Sequence, residues 1–182
     1  MADKIIIRES KINELDKVLI INRMAFGSET EAALVHDLIH DPTAGPVVSL
    51  LAFHDEKAIG HILFTRAVIQ QMPEVRAYIL APMAVNPEFQ NRGIGLLLIQ
   101  EGLKQLRDWY IEMVFVLGHI DYYPKSGFIN GAAKFGFQTP YLIPEEAASA
   151  WMVQELSDGA IEKYSGTVIC ADSLMQEKYW QE

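Results

Sequence analysis

The stretch from Ile79 to Leu106, ILAPMAVNPEFQNRGIGLLLIQEGLKQL, limits what this chain can fold into more than any other. An apolar run ends at Val85, Asn86-Pro87 turns the chain, and Gln90-Asn91-Arg92-Gly93-Ile94-Gly95 leads into a leucine-rich segment. There Leu96, Leu97, Ile99, Leu103 and Leu106 recur with the three-and-four spacing of a helix that buries one face. The predicted order is strand, turn, glycine pair, helix, with Gly93 and Gly95 in the first helical turn. A helix start leaves about four amides without internal partners and carries about half a positive charge. Glycines there leave room for a phosphate oxygen to reach those donors, and Arg92 adds a cation beside them.

Two familiar phosphate loops are excluded. A dinucleotide-binding loop needs G-x-G-x-x-G, and Leu98 stands at the third glycine position. A mononucleotide P-loop needs G-x-x-x-x-G-K-[ST], which occurs nowhere in the chain. What remains is Q-x-x-G-x-G from Gln90 to Gly95, and there the chain resembles the GNAT superfamily of N-acetyltransferases. A second match follows about thirty residues on: Tyr123-Pro124-Lys125-Ser126-Gly127-Phe128 resembles the family's Y-x-x-x-G-F segment. Leu117-Gly118-His119, Tyr122-Tyr123, the Pro140-Tyr141 stretch and a strand-like tail are further similar to the branch often called YhbS-like predicted acetyltransferases.

The remainder of the chain fits one globular unit. Its 182 residues suit a single domain, 1–182, with 140–182 as a strand-containing C-terminal extension. Half the residues are hydrophobic, against disorder. A net charge of −9 disfavours nucleic acid, which is bound largely through Lys and Arg, and is compatible with a cationic amine. Cys170 stands alone among apolar neighbours and reads as a core residue. The start MADKIIIRES lacks a secretory h-region and no run of eighteen apolar residues occurs, so a cytoplasmic protein without membrane partners is expected.

In chain order, Lys4 to Arg8 reads as a strand, Ile12 to Met24 as a helix begun near Ser10, and Ser28 to Ile39 as a second helix. Ser28 and Glu31 have the form of a capping box. His36 and His40 share a helix face but lack a third ligand, so a solvated edge, not a metal site, is expected. Val47 to His54 and Ala58 to Gln70 read as a hairpin, with Gly60 marking a bulge or close approach. Gln71 to Glu74 is a turn into the strand Val75 to Val85. Met113 to Leu117 has the continuous apolar run of a buried parallel strand. Further strands are expected around Phe135 to Phe137, Ala150 to Leu156 and Gly166 to Cys170.

The resemblance implies an α/β fold in the GNAT manner: a mixed, mostly antiparallel sheet splayed between two parallel strands ending at Val85 and Leu117, flanked by helices. It implies that the thioester arm of acetyl-CoA lies in the splay against the backbone of Met83, Ala84 and Val85. The backbone of Gln90, Asn91, Arg92, Gly93, Ile94, Gly95 and Leu96 would take the pyrophosphate. Tyr123 matches the family tyrosine that protonates the leaving thiolate. The shortened Gly118-His119-Ile120-Asp121 departs from the family pattern on that side of the coenzyme. No base is identified, since no carboxylate precedes Val85 until Glu74. Glu29 and Glu31 are candidates for the acceptor site, which the junction of the first two helices flanks in the family; His119 and Asp121 are others. The expected activity is transfer of acetyl from acetyl-CoA to a primary amine, on a small molecule or peptide, without a metal. A coenzyme-binding regulatory module stays open as the alternative, as does a homodimer formed at the C-terminal strands.

Overall fold

The computed structural model describes residues 4–181. Strand β1 (Ile5–Glu9) leads through a 3-10 turn at Ile12–Glu14 into helices α1 (Leu15–Phe26) and α2 (Thr30–His40). The antiparallel strands β2 (Val48–His54), β3 (Lys57–Ile69) and β4 (Met72–Val85) follow, then helix α3 (Ile94–Asp108) and strand β5 (Met113–Leu117). The C-terminal part holds β6 (Ile129–Asn130), β7 (Phe137–Gln138), β8 (Trp151–Glu155), the short helix α4 (Ala160–Lys163) and β9 (Gly166–Ile169). The sheet order is β1-β2-β3-β4-β5-β8-β6, with β9 against the far end of β3 and β7 beside β9. β4 runs parallel to β5 and β7 to β9; the other pairs are antiparallel. This is the expected mixed α/β architecture.

Both faces of the sheet are covered, which explains why its central strands read as near-continuous apolar runs. Leu51, Leu63, Ile79 and Phe115 point to the side of α1, α2 and the C-terminal segment. Leu50, Ile62, Phe64, Val114 and Val116 point to α3, meeting Leu98, Ile99 and Leu103. Cys170 is buried in the first of these cores, where burial pushes its thiol pKa up to about 12.

Several boundaries differ from the expectations. β4 begins at Met72, not after a four-residue turn, because Gln70-Gln71 suffices, with Gln71 at φ 69. Pro73 is tolerated inside the strand because β4 meets β5 only from Ala77 onward, so its missing N–H breaks no ladder there. The Ser28–Glu31 capping box does not form: α2 starts at Thr30, and the Ser28 hydroxyl bonds the Glu31 carboxylate instead of the amide that box requires. Phe135 belongs to a 3-10 turn, and the strand begins at Phe137. The register slips by one residue between Ala52 and Phe53 opposite Ile59. At the adjacent Gly60 a Cβ would lie 3.1 Å from Leu98 of α3, so bulge and close approach coincide.

One fully buried titratable group joins α1 to the sheet. His61 of β3 has its Nε2 2.9 Å from the Ser49 hydroxyl and its Nδ1 3.2 Å from the Asn22 amide nitrogen. Asn22 also donates to the Val18 carbonyl, so Nδ1 is the acceptor and Nε2–H the donor of a neutral ring. Burial pulls the His61 pKa from 6.5 down to about 3. The unfolded chain takes up that proton below 6.5 and the folded chain does not, so stability is full above 6.5 and falls as pH drops toward 3. Between pH 6.5 and 5 the loss approaches about 1.4 kcal/mol per pH unit. Glu14, held low by the Arg8 guanidinium and the Lys11 amide, adds its own loss only once pH passes below its ordinary 4.5. Urea midpoints across pH 7 to 5 test this: His61→Gln should flatten the profile, and an equally steep profile in that variant would refute the assignment.

Candidate active site

The parallel pairing of β4 with β5 stops at Leu80 opposite Val116. Beyond it β4 runs on through Ala81 to Val85 with no ladder to β5, and Pro82 has no N–H to give one. β5 meanwhile continues to Leu117 against Trp151 of β8. The two strands thus part, and a cleft of about 400 Å³ opens between Ile79–Met83 and Leu117–His119.

Just past Val85 comes the turn expected to bind an anion. Asn91 takes a left-handed φ of 61 and Gly93, at φ 79, caps α3. The first helical bond runs from the Leu97 amide to the Gly93 carbonyl, leaving the amides of Ile94, Gly95 and Leu96 at the helix tip without helical partners. A groove of about 520 Å³ runs along these residues and Met83, Ala84, Val85, Gln90 and Asn91. It shares Phe26, Met83 and Tyr122 with the cleft, so the two form one path from helix tip to strand gap. Arg92 lies over the Phe89 ring at 5.2 Å.

The glycines act differently from each other. A Cβ at Gly93 would meet nothing, so its requirement is the left-handed φ alone. A Cβ at Gly95 would collide with the Tyr122 hydroxyl, so this glycine makes room for that tyrosine. The Val85 carbonyl accepts a 3.0 Å bond from the Gln90 side chain, so one edge acceptor of β4 is already engaged.

Tyr123 lies in the cleft wall, edge-on to Tyr122 and Phe128, and its hydroxyl makes no hydrogen bond with the described residues. Burial, with a smaller contribution from Tyr122, raises its pKa, so it stays protonated throughout the ordinary range. Its position depends on Gly118, where a Cβ would collide with the Tyr123 ring. Gly118→Ala should therefore displace the ring and lower kcat by about tenfold or more while leaving the coenzyme Kd unchanged; steady-state kinetics with calorimetry read both. An unchanged kcat would detach Gly118 from Tyr123 positioning.

The acidic candidates separate clearly. Glu31 lines the cleft together with Phe26, Thr30 and Leu34. Glu29 does not: it is exposed and paired with Arg23 at 2.7 Å. His119 lines the cleft and Asp121 does not. His36 and His40 stay exposed on α2, and the described residues hold no His, Cys, Asp and Glu cluster of metal-binding form.

Sequence reasoning missed the opposite wall, formed by Leu174, Lys178, Tyr179 and Trp180. This segment is moored by Asp41, whose carboxylate accepts from the amides and hydroxyls of Thr43 and Ser173. Burial opposes ionisation there, but those four donors outweigh it and bring the pKa down to about 2. Nothing local in the sequence pairs Asp41 with Ser173, 132 positions away. Lys125, which lines the groove along the helix tip, was also outside the expected site residues.

A strand gap beside a glycine-capped helix tip is the frame of a coenzyme A-dependent acyltransferase, and the sequence matches the acetyltransferase (GNAT) family over residues 15–128. The chain belongs to that family. It is 45% identical over 153 residues to an uncharacterized N-acetyltransferase, YjhQ, of Escherichia coli K12, covering 84% of each. It is 31% identical over 147 residues to YhbS of the same strain, covering 80% of this chain and 84% of YhbS. The crystal structure of E. coli YhbS in complex with CoA matches with a TM-score of 0.87 over 97% of this chain and 94% of that one, at 26% identity. A GNAT acetyltransferase from Brucella melitensis, solved with acetyl-CoA, shares the fold at TM-score 0.75 and 24% identity, covering 94% and 99%. Among the described residues no helix is long and apolar enough to cross a membrane.

Proposed function

We propose that the chain transfers an acetyl group from acetyl-CoA to a primary amine by direct attack in a ternary complex. The observation that carries this is the β4 edge from Ala81 to Val85, without a β5 partner, lying along one continuous path with the free amides of Ile94, Gly95 and Leu96. Those amides and Arg92 suit a diphosphate, and the β4 edge suits an extended amide-bearing arm that adds a strand. YhbS with CoA and the Brucella enzyme with acetyl-CoA support the same ligand here.

The chemistry then falls to groups at the cleft. The amine nitrogen, as free base, forms a bond to the thioester carbonyl carbon while the carbon–sulfur bond breaks; the nitrogen sheds one proton to solvent on becoming an amide, and the departing sulfur takes one. Tyr123 holds that proton. Burial weakens it as an acid, and burial in the same cleft would likewise disfavour a departing thiolate over a thiol. Glu31, which lines the cleft, is our candidate to receive the proton of an incoming ammonium group, and Glu29 pairs with Arg23 across the α1–α2 junction.

Thiol release from acetyl-CoA, followed over a panel of metabolite amines, amino acids, polyamines and peptides, tests the proposal. Saturable, amine-dependent release supports it. Tight coenzyme binding with no release for any amine, and no change on Tyr123→Phe, would favour the regulatory module instead.

A further inference from the structure

At the opposite end of the sheet from the coenzyme groove lies a second depression, of about 510 Å³, between the β3–β4 hairpin and the end of α3. It shares no lining residue with the cleft or the groove. The 15 residues of α3 separate it from the anion-binding tip by about 20 Å. Its floor is apolar and aromatic: Tyr78 and Trp109 meet edge to face at 6.4 Å, with Val75 and Pro46 beside them.

Its charge runs against the rest of the molecule. Arg66 stands directly opposite Tyr78 in the β3–β4 register and Arg76 lies two residues from Tyr78 on the same face, so both arginines emerge beside the aromatic floor. Diagonal neighbours of this kind are separated by roughly 7–8 Å. Neither guanidinium has an ion-pair partner among the described residues. The nearby Glu112 carboxylate accepts from the Arg76 backbone amide and the Tyr164 hydroxyl, not from the Arg76 guanidinium. On a chain of net charge −9, the lining of this hollow carries two arginines and no carboxylate.

We propose that this depression binds a small carboxylic acid with an apolar body, aromatic or medium-chain aliphatic. Its volume lies within the range of about 300–1,000 Å³ typical of small-molecule sites. The planar guanidinium fork matches a carboxylate, and Trp109 and Tyr78 offer ring faces and edges to the body.

The test is a titration of the full chain with octanoate and phenylacetate, read by Trp109 fluorescence, since Trp151 and Trp180 are buried elsewhere. The expected result is a saturable change, absent in Trp109→Phe and not displaced by acetyl-CoA. The double variant Arg66→Ala with Arg76→Ala should bind about tenfold or more weakly, as expected for losing hydrogen bonds to a charged group. Lysine at both positions should restore part of that loss. Octanol giving the same saturation as octanoate, or equal affinity in the alanine double variant, would overturn the proposal. So would competition with acetyl-CoA, which would move the probe to the cleft. Failure to bind, together with a solution dimer that the arginine variants dissociate, would equally overturn it and assign the face to self-association.

Discussion

Gly93→Glu is expected to weaken coenzyme A binding by at least about 100-fold without unfolding the chain. A Cβ at Gly93 enters open space, so the new side chain meets no steric barrier and the fold bears only the strain of a left-handed non-glycine residue, about 1–2 kcal/mol. The new carboxylate, however, stands at the tip where Ile94, Gly95 and Leu96 present their amides. It competes for those donors and repels a diphosphate, and each charge-assisted bond lost is worth about 1.5–3 kcal/mol. Gly93→Ala carries the same backbone strain without the charge and should lose far less. Calorimetric titration with CoA beside thermal melts separates the two effects. Equal losses in both variants would make the backbone, not the anion site, responsible.

Tyr123→Phe is expected to lower kcat by about 100-fold or more while the KM for acetyl-CoA stays within a few-fold. The variant keeps the ring, with its edge-on packing against Tyr122 and Phe128, and removes only a hydroxyl that bonds no described residue. A structural role would therefore show as a lower melting temperature, whereas an acid role shows in kcat alone. Tyr122→Phe is the control: its hydroxyl lies over Gly95, so its loss should fall on coenzyme affinity instead. Unchanged kcat in Tyr123→Phe would transfer the proton to another donor.

The parts of this molecule that could be read from the sequence are those fixed by local pattern. The alternation to glycine-capped helix between Val85 and Leu106, the apolar run of β5 and the hairpin around Asp55 all depend on neighbours in the chain. The same holds for Gly60, which signalled a bulge or a close approach; the structure has the bulge at the adjacent Ile59 and Leu98 close to Gly60. What escaped depends on distant contacts. Ser28 and Glu31 had the spacing of a cap, but the hydroxyl took the carboxylate as its partner. Glu29 and Glu31 looked equivalent until Arg23 drew one outward and the cleft received the other. The wall from Leu174 to Trp180 is tied down by partners far away in the chain, among them Asp41 to Ser173 and Tyr141 to Met175, and the buried His61 network needs Asn22 of α1 against β3.

The central claim is that one path, from the tip of α3 to the gap between β4 and β5, holds the acyl donor. Solving the structure of the chain crystallised with acetyl-CoA tests it most directly. The predicted result is diphosphate oxygens at about 2.7–3.2 Å from the amides of Ile94, Gly95 and Leu96, with the thioester between Met83 and Leu117 beside the Tyr123 hydroxyl. Acetyl-CoA bound elsewhere, with that gap free of the thioester, would contradict it.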